Sequence, residues 1–190
     1  MSKRPPSSLS VEDAAQISRE LLHALAAESH LVYLSAPLTT GRTFSSKSGP
    51  PVEKTSQAAR NRATAGANAR ELRKLECWVL DPTEFGEIRG WSQTDYYSFW
   101  AQVIVFGAKK VVFAKDWEWS RGCAFEFLTA AEAGIPCFTL DLSRLDPLDG
   151  LAILQVAVSE MQSSGIATDF HEEVIRRLIE LTRRYGKELR

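Results

Sequence analysis

Four short apolar runs recur along the chain with helical segments between them: LVYLS at 31–35, CWVLDP at 77–82, KKVVFAKD at 109–116 and IPCFTLDL at 135–142. Strands separated by helices pair in parallel, because the crossover helix carries the chain back to the same edge. The helices must then cover the sheet. The alternation predicts an α/β protein, a three-layer α/β/α sandwich in which four strands are visible and a fifth is allowed.

Helical period fills the intervals. Val11, Ala14, Ile17, Leu21, Leu22 and Leu25 mark a helix from a cap at Ser10 to about Glu28, behind a tail at 1–9. Further helices are expected at 57–75, from Ser92 or Thr94 to about Phe106, and at 122–133. Two more follow, at 150–162 and 168–186; Phe170, Val174, Leu178, Ile179 and Leu181 make the last one amphipathic. Residues 10–190 thus read as one domain with a flavodoxin or Rossmann-like sheet. A long loop near 37–56 is rich in Gly, Ser, Pro and Thr, and such loops in compact domains often serve function.

Composition narrows the partners. Lys and Arg number 23 against 24 Asp and Glu, a net charge of -1, which argues against nucleic acid or an anionic membrane surface as the partner. No run approaches the roughly 18 apolar residues that span a bilayer. The N-terminus lacks the apolar core of a secretory signal. Cys77, Cys123 and Cys137 are few, odd in number and dispersed, which fits a reducing, cytoplasmic setting. His23, His30 and His171 have no metal-ligand spacing, so neither a metal nor another cofactor is expected. The near-zero total conceals a basic stretch: from Arg42 to Lys74 there are eight basic residues and two acidic ones. Arg42 and Lys47, in the loop, are placed to clamp a phosphate; Arg60, Arg62, Arg70, Arg73 and Lys74 fit an ordinary solvated helix face equally well.

In parallel sheets ligands sit beyond the carboxyl ends of the strands, where strand order reverses. The corresponding segments are 35–41, 81–90 and 116–122. The last is the most informative, within FAKDWEWSRGCAFEFLTAAEAGIP at 113–136. A strand ends near Asp116, a turn carries Trp117, Trp119, Ser120 and Gly122, and a helix follows. Gly122 allows a ligand close to the backbone, and the first N–H groups of that helix can receive an anion. Ser120 suits a cap or a phosphate contact. Glu126 lies one turn into the helix, either pointing back to the strand ends or facing solvent. Trp117 and Trp119 suit base stacking or the core. Asp95 and Asp81 have ordinary readings as a helix-start acid and a turn former.

Two of these stretches together resemble the nucleoside 2-deoxyribosyltransferase-like superfamily, in particular its uncharacterised bacterial and phage branch. The opening YLSGP-like strand is matched by Tyr33-Leu34-Ser35-Ala36-Pro37. The W-x-x-S-x-G-A-x-x-E helix start is matched by Trp117, Ser120, Gly122 and Glu126, followed by Ala130 and Gly134-Ile135-Pro136. The resemblance spans residues 30–142. It implies Glu126 as the nucleophile on the anomeric carbon of a nucleoside or nucleotide, with Tyr33 positioning it. Asp95 is the nearest candidate for the acid that serves the leaving base. Ser35, Pro37, Arg42, Asp116, Trp117, Trp119, Ser120 and Gly122 are the implied substrate contacts. The family also implies a homo-oligomer, a dimer or a tetramer. The expected activity is cleavage or transfer of an N-glycosidic bond. Two other readings stand beside it: a nucleotide-binding sensor without turnover, and an assembly protein with a vestigial pocket.

Overall fold

The computed structural model describes residues 30–38, 51–76, 78–85, 88 and 90–188. The tail at 1–9, the helix expected at 10–28, Arg42 and Lys47 lie outside the described residues. The element order is β1 (Leu31–Ser35), α1 (Pro51–Leu75), β2 (Trp78–Leu80), α2 (Gln93–Gly107), β3 (Lys110–Phe113), α3 (Arg121–Glu132), β4 (Cys137–Thr139), α4 (Pro147–Ser163) and α5 (Asp169–Glu188). One-turn 3-10 segments at Pro82–Glu84 and Trp117–Trp119 follow β2 and β3.

The strands form a four-stranded sheet in the order β2-β1-β3-β4, and every pairing is parallel. Strand order reverses between β1 and β3, because the chain leaves β1 toward β2 and then returns across it. That is the arrangement of a flavodoxin or Rossmann-like α/β/α sandwich, with its switch point at β1 and β3.

The period of two divides β1 between two cores. Val32 and Leu34 pack with Val79 and Val112 against Ala69 and Leu72 of α1. Leu31 and Tyr33 face the other way, with Val111 and Phe113, against Val103 and Ile104 of α2 and Ala124, Phe127 and Leu128 of α3. The amphipathic α5 adds Val174 and Leu178 to this second core, and α4 adds Leu154. Gly150 of α4 is where that helix presses on Phe127: a Cβ there would lie 2.1 Å from the ring. No side chain larger than hydrogen fits without moving the buried phenyl group.

Several boundaries differ from the sequence expectation. α1 starts at Pro51, six residues before 57, and so shortens the expected loop. α4 starts at Pro147 behind Asp146, three residues early. A proline lacks the N–H that the first turn leaves unpaired, so it opens a helix as readily as it ends one. β3 stops at Phe113 and β4 at Thr139, short of 116 and 142. Both strands run into turns with a non-glycine residue in the left-handed region, Asp116 (φ 61°) and Leu142 (φ 62°).

Candidate active site

β1 ends at the switch point with Tyr33 and Ser35 on the same face, two residues apart, and both have no exposed surface. Across from them, α3 begins after the turn that follows β3. Ser120 caps it, its Oγ accepting from the backbone N–H of Cys123 at 3.4 Å. Glu126 follows Gly122 by four residues and Cys123 by three, so the three share one side of the helix. This brings the Glu126 carboxylate to β1. Tyr33 Oη donates to Oε1 at 2.6 Å, and Ser35 Oγ donates to Oε2 at 2.6 Å. Each carboxylate oxygen has one hydroxyl donor, both from the same buried strand.

The electrostatics follow from this enclosure. Burial raises the Glu126 pKa to about 7, opposed by the hydrogen bonds from Ser35 and Tyr33, which favour the ionised form. The residue still keeps partial solvent access. Burial, and next the Glu126 charge, hold the Tyr33 phenol well above its usual range, so it remains a donor. The Cys123 thiol is pushed up to about 12, by burial first and by Glu126 second, and stays neutral. A buried neutral thiol is a packing group here, not a nucleophile. Tyr97 of α2 completes the surroundings: it is half-buried, and its phenol is raised by burial, drawn down by the Arg121 charge and raised again by Glu126.

The other sequence candidates divide sharply. Asp95 does not join Glu126. Its carboxylate accepts from the Ser92 N–H at 2.6 Å and the Ser92 hydroxyl at 2.7 Å, while its own N–H donates to Ser92 Oγ. This capping box fixes the start of α2, and the Ser92 bonds lower the Asp95 pKa. Trp117 and Trp119 are core residues, 4% and 6% exposed. Trp117 packs against Phe113 and Phe127, and Trp119 clusters with Ala157 and Met161. The base-stacking role is corrected accordingly, because neither indole offers a free face. Asp116 supplies the left-handed turn ahead of Trp117 and makes no side-chain cap bond. Pro37 is half-buried just beyond β1, in a segment tied to α1 by Asn61 Nδ2, which donates to the Leu38 carbonyl at 3.1 Å.

Gly122 sits in the first turn of α3 with ordinary backbone angles. A Cβ there would meet Ser120 Oγ at 3.7 Å and the Tyr97 ring at 3.9 Å, both normal contacts. Neither conformation nor packing in the unliganded protein demands glycine.

Sequence reasoning passed over two buried polar groups. Asp81 follows β2 with no exposed surface and caps the Pro82–Glu84 turn, accepting from the Thr83 N–H at 2.8 Å. Burial raises its pKa, and its Oδ2 has no hydrogen-bond partner among the described residues. The turn signal of Asp81-Pro82 was visible; the burial was not. His171 of α5 is 2% exposed, and burial, with Arg121 nearby, lowers its pKa to about 4. Among the described residues no group of three His, Cys, Asp or Glu side chains is placed to hold a metal, and no helix is long and apolar enough to cross a membrane.

No protein-family model, curated protein or solved structure matches the chain. The functional reading therefore rests on the geometry and on the motif resemblance.

Proposed function

We propose that the protein cleaves or transfers the N-glycosidic bond of a nucleoside or nucleotide, with Glu126 as nucleophile. The observation that carries this reading is the Glu126 carboxylate bonded at both oxygens by Tyr33 and Ser35, at the carboxyl end of β1. A carboxylate near pKa 7 is about half ionised at neutral pH and is still a strong enough base to trap an electrophilic carbon. In the first step a Glu126 oxygen bonds to the anomeric carbon. The carbon–nitrogen bond breaks, and the base leaves with the electron pair and takes up a proton. In the second step water, or the nitrogen of another base, attacks that carbon. The ester bond to Glu126 breaks and the carboxylate returns, with the attacking group losing its proton. Tyr33, unable to ionise in its setting, keeps its bond to Glu126 throughout.

The Ser120 cap and the first N–H groups of α3 suit the sugar end or a phosphate of such a substrate. The test is incubation with a panel of nucleosides and nucleotides, with products identified by mass spectrometry. Base release by the wild type and its loss in Glu126→Gln are expected. Release that is equal in the two proteins removes Glu126 from the mechanism.

One observation favours a second reading, nucleotide binding without turnover. Asp95, the candidate acid for the leaving base, is committed to Ser92. Saturable binding of a nucleotide with no product formed would support this reading over catalysis.

A further inference from the structure

We infer that Ser35 is a positioning residue for Glu126 rather than a substrate contact. This rests on the reading of Glu126 as the reactive group and assigns the second hydroxyl of the pair. The final torsion of a glutamate side chain is broad, so one hydrogen bond leaves the carboxylate plane free to turn. Tyr33 alone holds Oε1. Ser35 holds Oε2 from two residues further along the same strand, and two donors on a rigid strand fix the plane. Ser35 has no exposed surface from which to reach a ligand.

The charge environment makes this second donor matter. Among the described residues the titratable groups on which the Glu126 charge acts are Tyr33 from β1, Cys123 from α3 and Tyr97 from α2, all three neutral at neutral pH, while Arg121 in the first turn of α3 bears on Tyr97. No cation stabilises the carboxylate in that set. Its ionised form is held against burial by the two hydroxyls. Removing Ser35 therefore both frees the carboxylate plane and favours the protonated, non-nucleophilic acid.

The experiment uses the full chain with glutamate labelled at the side-chain carboxyl carbon. Glu126 is assigned by the signal missing in Glu126→Gln, and its titration is followed by NMR. Ser35→Ala removes a single atom from the core. It is expected to move the Glu126 midpoint upward by about one pH unit, the usual size for loss of one charge-assisted hydrogen bond. Ser35→Thr, which keeps the hydroxyl, is expected to titrate like the wild type. Where base release is measurable, the acid limb of kcat/KM moves with the midpoint in Ser35→Ala. The loss is about tenfold at pH 6 and much smaller at pH 9. An unmoved midpoint in Ser35→Ala, or a Thr variant indistinguishable from the Ala variant, overturns the inference. The two readings fail separately. A shifted midpoint in a protein that releases no base upholds the positioning role and sinks the glycosidase. Base release with an unmoved midpoint does the reverse.

Discussion

α2 and α3 start in the same way and are put to different uses. Each has a serine cap, Ser92 and Ser120, whose hydroxyl accepts from the backbone three residues on. At that third position α2 has Asp95, and the acid closes the box. α3 has Cys123, a neutral thiol, and no acid anywhere in its first turn. The first helix start thus carries its own compensating negative charge; the second leaves its positive end to something else. The carboxylate of α3 comes one turn later, at Glu126, where it meets the sheet instead of the cap. The two acids diverge accordingly. Hydrogen bonds from Ser92 lower one pKa, and burial raises the other to about 7. A carboxylate in the first turn stabilises its own helix, whereas one that reaches back to a buried strand is held by that strand's hydroxyls.

The largest test of that contrast exchanges each acid for its amide. Glu126→Gln is expected to lower base release on the order of a thousandfold or more, while Asp95→Asn stays within about threefold. Asp95→Asn instead lowers the melting temperature, and comparable losses of turnover in both variants would break the distinction. Stability against pH gives the second test. Because the folded pKa of Glu126 lies above its ordinary 4.5, the native state binds the extra proton between about 4.5 and about 7. Wild-type stability relative to Glu126→Gln should therefore fall as pH rises through that window and level off above it. Denaturant unfolding of both proteins at a series of pH values reads this directly. His171 acts with the opposite sign in both: its lowered pKa makes stability drop as pH falls from 6.5 through about 4. The caps come third. Ser92→Ala and Ser120→Ala should each cost about 1 kcal/mol by equilibrium unfolding. Only the second should also raise KM. The smallest effect separates stability from function. Gly122→Ala should stabilise the protein by up to about 1 kcal/mol through helix propensity, since its Cβ meets Ser120 and Tyr97 only at ordinary contact distance, and a rise in KM would mark the start of α3 as a substrate contact.

The sheet was readable in advance because four short apolar runs alternate with helical segments, and strands separated in that way pair in parallel. Tyr33 and Glu126 were readable because motif and strand-end position pointed to the same place. Ser35 was named for its position at the strand end, which suggested a ligand; its hydroxyl meets Glu126, because the period of two turns it inward with Tyr33. Trp117 and Trp119 show a different limit. Aromatic residues at a strand end suit a pocket wall and a core equally, and only the packing of Phe113, Phe127, Ala157 and Met161 decides. Asp95 was named from the resemblance as the nearest acid ahead of the third strand, and its capping box with Ser92 gives it a different partner. Pro51 and Pro147 concealed two helix starts by resembling loop residues.

The burial of Glu126 also makes this side chain chemically distinguishable. The protein has 24 acidic residues, and an acid at its ordinary pKa is almost wholly ionised at pH 7. Glu126 is about half protonated there and keeps partial access to solvent. Diazo reagents esterify protonated carboxylic acids, so a small diazo compound at neutral pH should mark Glu126 ahead of exposed carboxylates. The carboxyl group that defines the candidate site thereby becomes a handle for counting functional sites and for attaching a probe where a substrate would sit.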